Sequence, residues 1–187
     1  MAKKGKPGLW VMEGEWSSSV KDVRSVDPVL SALSDMGQAR HVRRHINDPD
    51  DLLQQLKKWG QRQHDSFNIG YVALHGSPGT VYIGRKSLDL LSIGEALPKP
   101  SMSRKILHFG SCSVLDMKPK ERRELRTELG VKAMTGFTTD VEWIESLAFE
   151  LLLFDVLTWY KRLDFAEAYI KKSHGAFARR LGFVMVR

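Results

Sequence analysis

Short, nearly unbroken apolar runs alternate along this chain with longer stretches whose apolar residues recur at three- and four-residue spacing. The short runs are residues 9–12, 69–74, 106–109, 131–135 and 183–186. Their length and continuity predict strands buried on both faces, the habit of a parallel sheet. A more polar run, residues 40–46, predicts a strand near a sheet edge. The periodic stretches carry helix punctuation. Asp27 and Pro28 open one, with Val29, Leu30, Leu33 and Met36 on its apolar side and Gly37 as its stop. Asp48 and Pro49 open the next, with Leu52, Leu53, Leu56 and Trp59 on one face and Gly60 after it. Pro119 opens a charged helix that ends before Gly130, residues 142–160 form a long helix apolar on most sides, and residues 164–172 and 175–181 form two shorter ones. Residues 81–83 and 87–89 read as a hairpin turned at Gly84 and Arg85, followed by a short helix at 92–97 and a loop rich in proline and serine at 98–103.

Strands that alternate with helices predict an α/β fold: a three-layer sandwich with a mostly parallel sheet and helices on both faces. No repeat, low-complexity tract or long linker interrupts the pattern, so one domain over residues 1–187 is expected. In such sheets binding sites gather at the carboxyl ends of the strands.

Composition narrows the chemistry. At 187 residues the chain buries enough apolar surface to fold without disulfides or a structural metal. Its single cysteine, Cys112, excludes an internal disulfide and every multi-cysteine zinc module. The apolar stretch 147–157 is broken by Glu150 and Asp155 and is too short for a membrane span, and the basic start at residues 1–7 has no apolar core behind it. A soluble, cytoplasmic protein is expected. The net charge of +7 comes from scattered basic pairs such as Arg43-Arg44 and Arg179-Arg180 rather than from one tract. A solvated surface explains it better than nucleic-acid binding.

Two predicted strands end in reactive groups, at Leu74-His75-Gly76 and at Gly110-Ser111-Cys112. Thirty-seven positions separate His75 from Cys112, enough for a hairpin and a crossover helix between neighbouring parallel strands. A thiolate attacks acyl groups and an imidazole moves the protons. Gly76 lets its backbone approach a substrate, so its N–H and that of Cys112 can hold an oxyanion, with Gly110 and Ser111 shaping the turn. An apolar strand with His-Gly, a hairpin, then an apolar strand with Gly-Ser-Cys resembles the caspase-like (clan CD) cysteine peptidases, which include caspases, metacaspases, gingipains, separase and the CHAT proteins. The segment Gly136-Phe137, Asp140-Val141-Glu142-Trp143 and the apolar helix after it look most like the bacterial CHAT branch. The resemblance implies a His75–Cys112 dyad that cleaves peptide bonds, with no metal or other cofactor. Caspases carry Gln-Ala-Cys where this chain has Gly-Ser-Cys.

The loop after the first strand supplies an arginine to the substrate pocket of caspases, whereas residues 13–16 here are Glu-Gly-Glu-Trp. With Asp140 and Glu142 at the same edge, the pocket is expected to favour Arg or Lys, with Glu13 and Asp140 as contacts and Trp143 as a wall. The alternatives are a catalytically silent interaction module and a basic nucleic-acid-binding protein. For the remaining histidines, His41 and His45 share a strand face without a third ligand, His108 lies inside a core strand, and His174 sits on a helix. The strand at 183–186 offers an edge for pairing with another chain.

Overall fold

The computed structural model of the protein describes residues 7–97 and 102–187, so part of the predicted 98–103 loop lies outside the described residues. Among the described residues the main elements follow in this order: β1 (Gly8–Glu13), α1 (Asp27–Asp35), β2 (Arg40–His45), α2 (Pro49–Trp59), β3 (Ile69–Ala73), β4 (His75–Ser77), β5 (Thr80–Ile83), β6 (Lys86–Asp89), α3 (Leu90–Ala96), β7 (Ile106–Phe109), α4 (Pro119–Leu129), β8 (Ala133–Phe137), α5 (Trp143–Trp159), α6 (Leu163–Arg180) and β9 (Phe183–Val186). The main sheet runs β2-β1-β3-β7-β8-β9 and is parallel except for β9, which lies antiparallel to β8.

Alternation along each strand explains the unbroken apolar runs. Leu9, Val11, Ile69 and Tyr71 pack with α1, α5 and α6 on one face. Trp10, Met12, Val72, Leu107 and Phe109 pack with α2, α3 and α4 on the other. With a helical layer on each side, the molecule is a three-layer α/β sandwich. The polar strand β2 is indeed an edge strand.

Local departures from the sequence reading have physical causes. Asp27 begins α1 rather than capping it, and its carboxylate accepts from His41 Nε2 at 3.1 Å. The predicted hairpin gains a third strand, because His75–Ser77 pairs with β5 in a small antiparallel sheet. α3 starts earlier than expected because Asp89 accepts from the N–H groups of Leu91 and Ser92 and caps it. β8 starts at Ala133, since Val131 is buried in the turn after Gly130. The two last helices join as α6 across a kink at His174.

Lys105, just before β7, is 1% exposed. Its ammonium donates to the carbonyls of His64 (2.8 Å) and Phe67 (3.1 Å) and lies 5.3 Å from the Trp59 ring centre. Burial pushes it down from 10.5 to about 8; Asp65 opposes the shift and Arg104 adds to it. Below pH 8 the folded state bears the cost of a buried ammonium. Between about 8 and 10.5 the folded protein has lost that proton while the unfolded chain still binds it, so stability rises with pH. Denaturant titrations should show wild type gaining on the order of 3 kcal/mol relative to Lys105→Met across that window. A pH-independent difference between the two would contradict this account.

Candidate functional site

The order of the strands places reactive groups together. β1 and β3 are neighbours from which the chain winds in opposite directions, and β3 pairs with β7 from Ile69↔Ile106 to Val72↔Phe109. The chain leaving β3 reaches His75, and the chain leaving β7 reaches Cys112, at the same sheet edge. Gly110 N–H still donates to Val72 O at 2.9 Å, which carries the ladder one step beyond β7.

The two turns then press against each other. A Cβ at Gly76 would lie 2.7 Å from Ser111 Cβ and 3.0 Å from Cys112 O, so the His-Gly backbone fits only as glycine against the Gly-Ser-Cys turn. Ser113 takes a left-handed φ of 50°, held by its N–H donating to Thr139 O (2.9 Å) and its hydroxyl to Asp140 Oδ1 (2.5 Å). Ser111 is fully buried beneath, and its hydroxyl has no partner among the described residues.

His75 and Cys112 line one cavity of about 180 Å³, the volume of roughly six waters. Its walls include Trp16, Trp143 and Arg24. The Trp16 and Trp143 rings meet edge to face at 4.6 Å, and Trp16 meets the His75 ring at 5.3 Å. The Trp16 carbonyl, which can only accept, lies 2.9 Å from His75 Nε2. The proton therefore sits on Nε2, and Nδ1 is the free acceptor. The Cys112 thiol donates to Val141 O at 3.7 Å, and no direct hydrogen bond joins Cys112 to His75.

Beneath the cavity lies a buried polar chain. Tyr71 OH donates to Glu150 Oε2 at 2.5 Å, His108 Nε2 lies 2.9 Å from Glu150 Oε1, and His108 Nδ1 lies 2.9 Å from Thr135 Oγ1. All four residues are almost wholly buried. Burial, reinforced by the Glu150 charge, holds the Tyr71 hydroxyl well above its ordinary value, so it stays protonated and donates. Tyr71 and Glu150 also line the cavity, and a Cβ at Gly110 would fall 2.5 Å from Glu150 Oε1.

Of the residues expected to hold a substrate, Trp143 is brought to the cavity. Glu13 is not. Its carboxylate, 2% exposed, accepts from Trp16 Nε1 (2.9 Å), Val26 N–H (2.8 Å), Ser25 Oγ (2.9 Å) and an Arg43 guanidinium N–H (3.0 Å). It ties the loop after β1 to α1 and sets the position of Trp16. Neither Asp140 nor Glu142 lines the cavity: Asp140 accepts from the Ser113 hydroxyl, and Glu142 caps α5 by accepting from Ile144 and Glu145 N–H. Trp16, Arg24, Tyr71 and Glu150 are site residues that the sequence reading missed. Glu150 and His108 did leave a signal, since each interrupts an apolar run whose burial demands a polar partner. Arg24 left none, because its position depends on the path of an irregular loop.

These roles separate in stability. Glu13→Ala should cost roughly 3 kcal/mol in urea unfolding, because it strands the buried Val26 N–H and frees Trp16 Nε1 and Ser25 Oγ, while Arg43 keeps Asp27 at 3.6 Å. Asp140→Ala should cost less than about 1 kcal/mol. Equal small losses for both would contradict the structural role of Glu13.

Among the described residues no helix is long and apolar enough to cross a membrane, and no group of three or more His, Cys, Asp or Glu side chains could hold a metal ion. Comparison with curated proteins yields no match. A protein-family model described as a family of unknown function, DUF6642, matches residues 7–186, almost the whole chain, and the chain belongs to that family.

Proposed function

We propose that the protein is a caspase-like cysteine endopeptidase that uses His75 and Cys112 as a dyad. The observation that carries this reading is the convergence of an imidazole and the chain's one thiol on a single cavity, from the carboxyl ends of paired parallel strands. Cys112 Sγ, turned from the Val141 carbonyl and deprotonated, attacks the substrate carbonyl carbon. A C–S bond forms, and the carbonyl oxygen becomes an oxyanion facing the N–H groups of Gly76 and Cys112. His75, held by Trp16 O at Nε2, transfers the thiol proton from Nδ1 to the leaving amine as the C–N bond breaks. Water activated by the same imidazole then hydrolyses the thioester and restores the thiol.

The cavity supports a basic residue before the scissile bond. Arg24 is matched by Asp22 at 2.8 Å, which leaves Glu150 as the carboxylate in the wall. Tyr71 and His108 take one bond on each of its oxygens, and each oxygen can accept another.

A second reading, a catalytically silent interaction module, draws on one observation: Cys112 and His75 each bond to a backbone carbonyl rather than to each other. Peptides that differ only in Arg, Lys or Asp before the cleaved bond separate the readings. Wild type is expected to cleave after Arg or Lys. Cys112→Ala should abolish cleavage, and His75→Ala should slow it by about 10²- to 10⁴-fold. Unchanged cleavage by folded Cys112→Ala would exclude the mechanism, and faster cleavage after Asp would exclude the basic preference. No cleavage of any substrate would leave the silent module as the reading.

A further inference from the structure

The two edges of the main sheet are built differently. At one end β2, Arg-His-Val-Arg-Arg-His, carries charge along its length, a usual guard against pairing with other chains. At the other end β9, Phe-Val-Met-Val, carries none and is half-buried. Its inner side pairs with β8, and among the described residues no strand lies beside its outer backbone groups.

A groove of about 780 Å³ lies along this outer edge. β9 forms its floor. Arg122 and Arg123 of α4 stand on one side, and Lys171 and Arg179 of α6 on the other. Because α4 and α6 pack on opposite faces of the sheet, the groove is clamped from both faces. Arg187, just past β9, lines it as well. Among the described residues one carboxylate answers these five basic side chains: Glu167 pairs with Lys171 at 2.7 Å and Arg187 at 3.0 Å. Arg122, Arg123 and Arg179 have no ion-pair partner among the described residues.

We propose that this groove binds an extended acidic segment of another protein, which adds to the sheet as a strand beside β9. The edge supplies N–H and C=O groups at strand spacing, and an added strand would satisfy them. Its side chains would alternate between the two faces, toward α4 and toward α6 in turn. Each face offers unpaired arginine, so carboxylates at alternating and at neighbouring positions both find a guanidinium. Apolar residues between them cover Ile170, Ala178 and the apolar side chains of β9. A second copy of this chain fits poorly, because pairing β9 with β9 would bring the two basic rims together. A nucleic acid would meet the arginines but leave the strand edge unpaired. This site is separate from the His75–Cys112 cavity and shares no lining residue with it.

The test uses the full chain and a fluorescent heptapeptide, Glu-Val-Asp-Val-Glu-Val-Asp, with two controls. One replaces its carboxylates with Lys; the other replaces the central Val with Pro, which keeps the charge but removes a strand N–H. Fluorescence anisotropy should show saturable binding of the acidic peptide, at least tenfold weaker binding of the proline form and none of the lysine form. The double variant Arg122→Glu, Arg179→Glu changes exposed or half-buried side chains that anchor no core contact. It should weaken the acidic peptide at least tenfold with an unchanged circular dichroism spectrum. Equal binding of the proline and parent peptides would overturn strand addition. So would tighter binding of a 20-nucleotide single-stranded DNA at the same salt. Sedimentation of wild type as a dimer that the double variant dissociates would replace the acidic partner with a second copy.

Discussion

The parallel pairing of β3 with β7 fixes everything that follows at the site. That ladder continues past the strands through Gly110 N–H to Val72 O. It sets two loops leaving the same sheet edge at backbone contact distance, and Gly76 against Ser111 and Cys112 shows how little room remains. A one-residue slip of this register would turn every core side chain of a strand to the opposite face. With helices packed on both faces, such a slip would expose no polar face to water but would scramble two cores at once. The geometry of the site is therefore carried by strand register and only trimmed by side-chain contacts.

Beneath that edge, the sandwich contains a polar chain that a purely apolar core would not need. Thr135, His108, Glu150 and Tyr71 link β8, β7, α5 and β3 through three hydrogen bonds. Buried groups of this kind are costly unless each is satisfied, and here each has a partner. The chain pins α5 to the strands directly under the cavity. Glu13 performs the matching task at the mouth, where four donors converge on one carboxylate and hold the loop bearing Trp16 and Ser25 against α1. Trp16 in turn bears on His75 through both its carbonyl and its ring. The β9 groove lies apart from this apparatus, at the one sheet edge that carries no charge of its own.

The layers, the nearly parallel sheet and the strand-end positions of His75 and Cys112 were legible because apolar continuity and helix punctuation are local signals. The polar strand β2 was legible as an edge for the same reason. What escaped was set by contacts distant in sequence. His75 opens a strand of a second sheet because Tyr82, seven residues on, pairs with it. The place of Glu13 at the end of β1 suggests a substrate contact, but its partners include Ser25 and Val26, just before α1, and Arg43 of β2, up to thirty residues away. Glu150 and His108 each stood out as a polar residue in an apolar run, but only the fold shows that they meet. Of the kink at His174, the sequence showed only a break between two periodic stretches.

The central claim, that the carboxyl ends of β3 and β7 form a nucleophilic site, is tested most directly by mass spectrometry of the intact protein after reaction with a peptidyl acyloxymethyl ketone bearing Arg next to the electrophile. The account predicts one adduct per chain, mapped to Cys112, formed far faster than with the same ketone lacking the peptide and greatly slowed in folded His75→Ala. An unmodified protein would contradict it. An adduct that forms at the same rate with and without His75 would contradict it equally.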